Sequence, residues 1–166
     1  MSNFKKGIID ISGFRFTKNN SDQDVSAIFK KYFPCRIIKS QSKTKIALKP
    51  PFPKIEGILN CNLYEIYDDK AQGLRRLSIY LPQDRTNRQQ GESLETYLNR
   101  RSETFTTLFM KETDYVDHAT NSNEFPEHQH RTFYFDWGCV KIITDYDQIG
   151  RQIVDRSLIV YIEYHQ

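Results

Sequence analysis

The chain predicts an α+β fold: a mainly antiparallel sheet with two amphipathic helices, at about 22–33 and 93–110. Three observations carry this. Strand-like runs follow one another in series across short polar turns, the pattern of antiparallel neighbours and not of β-α-β units. Two segments repeat apolar residues at helical spacing. Aromatics reach 13% of 166 residues, with ten Tyr and eleven Phe, a bias that suits half-buried pleated strands. The predicted order is β-α-β-β-β-β-α-β-β-β in a single domain over 1–166, an ordinary length for one core.

Residues 7–16 read as one strand, with Ile9, Ile11 and Phe14 apolar and Gly13 at a bulge or bend. Ser21 then caps a helix, with Asp24 three residues on. Val25, Ile28, Phe29, Tyr32 and Phe33 form its apolar stripe, and Pro34 ends it. Residues 35–38 and 45–48 read as short strands around a polar turn. Lys49-Pro50-Pro51-Phe52-Pro53 is an extended connector, because its prolines remove backbone donors.

Residues 54–82 read as a long hairpin in the middle of the sheet. Cys61 and Leu63 take one face, with Asn62, Tyr64 and Ile66 opposite. After the turn, Leu77, Ile79 and Leu81 face one way and Arg76, Ser78 and Tyr80 the other. A polar loop leads to the second helix, striped by Leu94, Tyr97, Leu98, Phe105, Leu108 and Phe109, with the stem of Arg101 at its edge. Residues 112–128 read as an acidic surface loop with a short strand around Tyr115 and Val116. Strands follow at 132–136, 139–146 and 158–164, with turns at 137–138 and 147–150.

The net charge of +3 hides a gradient. Residues 1–54 carry +9, residues 55–111 carry 0, and residues 112–166 carry −6. Such asymmetry bears on partners and association rates, not on fold. The basic first third, with Phe29, Tyr32 and Phe52 interleaved, leaves a nucleic-acid-binding alternative open. The acidic last third would repel a long polyanion, so nucleic acid is not the expected partner.

Little in the chain points to catalysis. It has seven glycines, no GxSxG elbow and no GxxxxGK[ST] or GxGxxG loop. Cys35, Cys61 and Cys139 are odd in number and widely spaced, as reduced thiols are. Asp68-Asp69 and the pair Asp145 and Asp147 fall at expected turns, where Asp is common for backbone reasons. Arg75-Arg76 and Arg100-Arg101 read as solvated faces. Glu127-His128-Gln129-His130 is the sharpest local signal, because His128 and His130 on a strand would share a face, as a metal site requires. Glu124, Glu127 or His118 could complete it, but with no third ligand assigned the expected reading is a polar approach to a strand. No cofactor is expected. No apolar run nears the roughly 18 residues of a membrane span, and the apolar run near residue 8 is too short for a secretory segment. A cytoplasmic location follows as the expectation.

The segments GIIDISGFRFTKNNSDQDVSAIFKKYFP and GILNCNLYEIYDDKAQGLRRLSIYLP resemble bacterial immunity proteins of contact-dependent inhibition and type VI secretion systems. The segment GESLETYLNRRSETF is similar to the central helix of effector-adaptor chaperones with a PsbP-like fold. The first resemblance implies a toxin-neutralising protein with no reaction of its own, which covers the active site of a cognate toxin. The second implies an adaptor chaperone. Within the immunity reading, the acidic last third suits a basic toxin surface and the basic first third an acidic one, and the sequence leaves both open. Its candidate contacts are Asp114, Asp117, Glu124, Glu127, Asp145, Tyr146 and Asp147.

Overall fold

Eight strands pair antiparallel into one sheet, and a small hairpin and two helices cover one of its faces. The computed structural model describes residues 1–57, 61–81, 88–111, 116–120, 129–149 and 152–165, and for 95, 116–120, 129, 130, 145–149 and 152–157 the backbone alone. The elements are β1 (Ile9–Ile11), β2 (Phe14–Phe16), α1 (Asp22–Tyr32), β3 (Cys35–Lys39), β4 (Lys43–Leu48), β5 (Asn62–Asp69), β6 (Leu74–Tyr80), α2 (Leu94–Met110), β7 (Val116–Thr120), β8 (Gln129–Phe135), β9 (Gly138–Ile149) and β10 (Gln152–His165). The α+β class and both helices stand as the spacing requires. Among the described residues no helix is long and apolar enough to cross a membrane.

The sheet order is β3-β4-β5-β6-β10-β9-β8-β7. Each half is a helix followed by a four-strand meander, and the two meanders meet where their last strands, β6 and β10, pair. The sheet therefore has its middle at β6 and the chain's final strand. The hairpin β5–β6 supplies half of that middle.

Both helices begin at a serine. The Ser21 and Ser93 hydroxyls accept from the backbone N–H groups of Asp24 and Thr96, which answers donors that a helix start leaves open. Val25 and Phe29 of α1 and Tyr97, Leu98, Phe105 and Phe109 of α2 are buried against the sheet. The Phe109 ring meets Phe4 edge-on at 5.2 Å and Phe133 at 5.7 Å, which seats α2 over the second meander.

Several expectations need correction. Residues 7–16 are two strands, not one. Ser12 (φ 50°) and Gly13 (φ 90°) form a two-residue turn between Ile11 and Phe14, and two left-handed residues match the twist of a tight hairpin. Ile66 lies on the core face with Leu63, because the register shifts between Leu63 and Glu65. That bulge resets the alternation, so Leu63 opposes Ile79 and Ile66 opposes Leu77. The stretch expected as a turn at 147–150 is strand through Ile149, and β10 begins at Gln152, not 158. Asp136 and Trp137 make the β8–β9 turn, and Gly138 opens β9. The short strand expected near Val116 is β7.

Trp137 fastens the N-terminus to this turn. Its indole N–H donates to the Phe4 carbonyl at 2.9 Å, and its ring stacks on Phe135 at 4.9 Å. Gly7 passes beneath the indole with φ 64°, where a Cβ would sit 2.6 Å from the ring. Only glycine fits there.

Candidate functional site

Alternation along the strands gives the sheet a second face, away from the core that the helices cover; Ser78, Cys139, Ile159 and Glu163 on it are buried, while Tyr64 and Tyr134 are exposed. At its centre lie Arg76 and Tyr80 of β6 and Tyr161 of β10, with Tyr64 and Tyr67 of β5 beside them. The Arg76 guanidinium stands 4.5 Å from the Tyr161 ring centroid and 5.3 Å from that of Tyr67. Its Nε is buried and makes no hydrogen bond. A second aromatic row runs alongside, with Phe52 5.9 Å from Tyr64 and Tyr64 4.8 Å from Tyr80. Tyr64 is 44% exposed and Tyr134, further out on β8, 43%. Guanidinium held between aromatic rings keeps its donor fork in one orientation at small entropy cost.

The lysines of this face are already matched to carboxylates on neighbouring strands. Lys45 pairs with Glu65, Lys43 with Asp69 at 3.4 Å and Lys141 with Glu163 at 2.6 Å. Among the described residues the lysines of the face are therefore neutralised, and Arg76 keeps its charge at the centre. Hydrogen bonding to Asp69 raises the Lys43 ammonium pKa, so the lysine stays charged throughout the physiological range.

A second cluster is buried on the covered side. Arg75 is 1% exposed, although it was expected on a solvated face with Arg76. Its Nε donates to Asp68 Oδ1 at 2.6 Å and its Nη2 to Asp68 Oδ2 at 3.1 Å and Asp22 Oδ1 at 2.6 Å. Nη1 donates to the Asn20 carbonyl. Burial pushes the Asp68 carboxyl above its usual range. Asp22 also pays a burial cost, yet Lys70, 2.6 Å away, and the groups around it hold its carboxyl low. Every charge here has a partner, and the cluster ties the start of α1 to β5 and β6. Asp68 and Asp69 end strand β5 and are not turn residues, although Asp69 Oδ1 accepts from Ala71 and Gln72 in the turn that follows.

The other basic pair is also engaged. Arg100 is 38% exposed and holds Glu92 with two hydrogen bonds, while the Arg101 guanidinium lies 5.2 Å over the Phe105 ring.

Of the residues singled out in the acidic third, Asp117 lies in β7 opposite Thr132. Asp145, Tyr146 and Asp147 lie within β9, opposite Ser157, Arg156 and Asp155 of β10. The expected turn is absent there because the β9–β10 ladder continues past it. Asp114, Glu124, Glu127 and His128 lie outside the described residues. His130 is in β8 between Ala119 and Ile143. Among the described residues no three His, Cys, Asp or Glu side chains come together as a metal site would need.

Burial pushes the Cys61 thiol up to about 11 and the Cys139 thiol to about 12, and Cys35 is raised as well. All three are protonated at neutral pH, and a protonated thiol is a poor nucleophile. Cys139 donates instead to Glu163 at 3.5 Å.

The residues that sequence reasoning passed over are Arg76, Tyr67 and Tyr161. The alternation of Arg76, Ser78 and Tyr80 away from the core was legible. That Tyr161, 85 positions later, would stand beside Arg76 follows from the pairing of β10 with β6, which no local pattern encodes. Comparison with protein-family models, with curated proteins and with solved structures finds no match.

Proposed function

We propose that this chain is a bacterial immunity protein, a toxin-neutralising binder without a reaction of its own that docks a cognate toxin domain on the face of its sheet turned away from the helices. The observation that carries the reading is the Tyr67–Arg76–Tyr161 sandwich among further tyrosines, on a face whose lysines are already neutralised. Tyr and Arg dominate the residues that hold protein interfaces together. Paired lysines have little charge left for phosphates, which speaks for a protein partner and against nucleic acid. The acidic strands at the far end, with Asp117, Asp145 and Asp147, would steer a basic toxin surface toward this face.

The test begins with the neighbouring reading frames: a toxin domain encoded there is co-expressed with this chain, and the absence of one removes the reading. The intact chain restores growth, and Arg76→Ala or Tyr161→Ala weakens binding by about 2 kcal/mol or more, roughly 30-fold. A salt series against DNA runs in parallel. Variants that fold normally and still neutralise the toxin at wild-type affinity would remove the face from the reading. Tight, steeply salt-dependent DNA binding would replace the reading with the nucleic-acid alternative.

A further inference from the structure

A groove of about 580 Å³ opens on the other layer of the molecule, between the β1–β2 turn and the carboxyl end of α1. Its lining is Ser12, Gly13, Phe14, Ile28, Tyr32 and Phe33. The walls are fixed from below. Phe29 is fully buried, meets Phe14 edge-on at 6.0 Å and lies 5.4 Å from Phe33. The lip is fixed as well: the Ser12 N–H donates to the Lys54 carbonyl at 2.9 Å, and the Gly13 N–H to Asp10 Oδ1 at 2.8 Å. This is a preformed apolar cleft, not a gap left by loose packing.

The cleft still exposes much of its aromatic surface. Tyr32 is 63% exposed although it belongs to the apolar stripe of α1. Around it basic side chains outnumber acidic ones. Lys30 and Lys31 occupy the last turn of α1, and Arg15 and Lys54 adjoin the lip. Among the described residues none of these four is in an ion pair, and the Asp10 carboxylate at the lip is held by the N-terminal amine at 2.9 Å. The carboxyl end of a helix carries about half a negative charge, which two lysines outweigh. Lys31 lies 5.1 Å over the Tyr32 ring, so its charge sits at the mouth.

We infer that this groove binds an acidic peptide segment of a partner protein, with an aromatic or branched apolar side chain in the cleft and a flanking carboxylate on Lys31. Apolar walls select the anchor and the unpaired lysine selects the flank. The site is independent of the sheet face, on the opposite layer, and stands whether or not that face binds a toxin.

The probe is a capped peptide, Glu-Asp-Phe-Leu-Asp-Glu, titrated into the isotope-labelled full chain. Amide shifts should move at Gly13, Phe14, Ile28, Tyr32 and Phe33. Replacing the peptide's Phe and Leu by Ala, or its acids by Gln, should weaken binding at least about fivefold. Tyr32→Ala and Lys31→Glu should each do the same, and the Lys31→Glu effect should shrink in high salt. Both positions are exposed, and unchanged melting temperatures would show that the variants fold. Shifts on another surface, equal binding of the acid-free peptide, or no binding would each overturn the inference.

Discussion

Arg75 shows how much one buried residue can hold. Its guanidinium carries four hydrogen bonds to Asp68, Asp22 and Asn20, groups some 50 residues apart in the chain. Taking such charges out of water is costly, and removing one partner leaves the other uncompensated. Asp68→Ala should therefore lower stability by about 3–5 kcal/mol. Lys45→Ala, which breaks a partly exposed pair with Glu65, should cost no more than about 1 kcal/mol. Urea unfolding of the two variants checks the contrast, and equal losses would mean the Arg75 cluster is no tighter than the surface. The sequence concealed this, because Arg-Arg beside a turn looks like solvent-facing charge. Whether an arginine is buried depends on which carboxylates the fold brings to it.

The second helix is anchored to the residue before its cap. Arg100 donates to both Glu92 oxygens, at 2.8 and 2.9 Å, and the Gln89 N–H donates to the same carboxylate. These bonds hold the Glu92 carboxyl down at about 2, against an ordinary 4.5. The lowered value sets the sign of the pH dependence. Above pH 4.5 the carboxylate is charged in both states and its contribution is complete. As pH falls from 4.5 toward 2, the unfolded chain takes up the proton first, and the contribution is lost. Glu92→Gln should be less stable than the parent at pH 6, and the gap should close as the pH approaches 2. Thermal unfolding across that range measures it, and a gap of constant size would contradict the lowered pKa. The helix itself was legible, from Ser93 and the spacing of Leu94, Tyr97, Leu98, Phe105 and Phe109. The anchor was not, since residues 92 and 100 meet only once the helix has formed.

For the whole molecule, β10 is the joint. It lies between β6 and β9, and Leu158, Val160, Ile162 and Tyr164 are each at most 1% exposed. Burying four such side chains contributes about 6–12 kcal/mol, comparable to the net stability of an ordinary domain. A chain that ends at Ser157 should lose its cooperative unfolding transition and its near-ultraviolet dichroism. A cooperative transition in that truncated chain would show that the meanders stand without their joint. The sheet order also turns a gradient in sequence into one in space. The basic first third supplies β3 and β4 at one edge, and the acidic last third supplies β7, β8 and β9 toward the other. Eight strands span about 34 Å at about 4.8 Å each. The two ends lie well beyond the screening length of about 8 Å at physiological salt. They therefore act on partners as separate surfaces.

What the sequence by itself determined is local. The α+β class, both helices with their serine caps, the apolar stripes and most strands follow from spacing and turn residues, because short-range periodicity sets which side chains can share a face. Only the tertiary structure decided what depends on register and long-range pairing. The Ser12–Gly13 hairpin, the bulge that turns Ile66 inward, the continuation of β9 and β10, the burial of Arg75 and the meeting of Arg76 with Tyr161 all belong there. Each is settled by which distant backbone a strand bonds to, and that choice is made by packing the whole core.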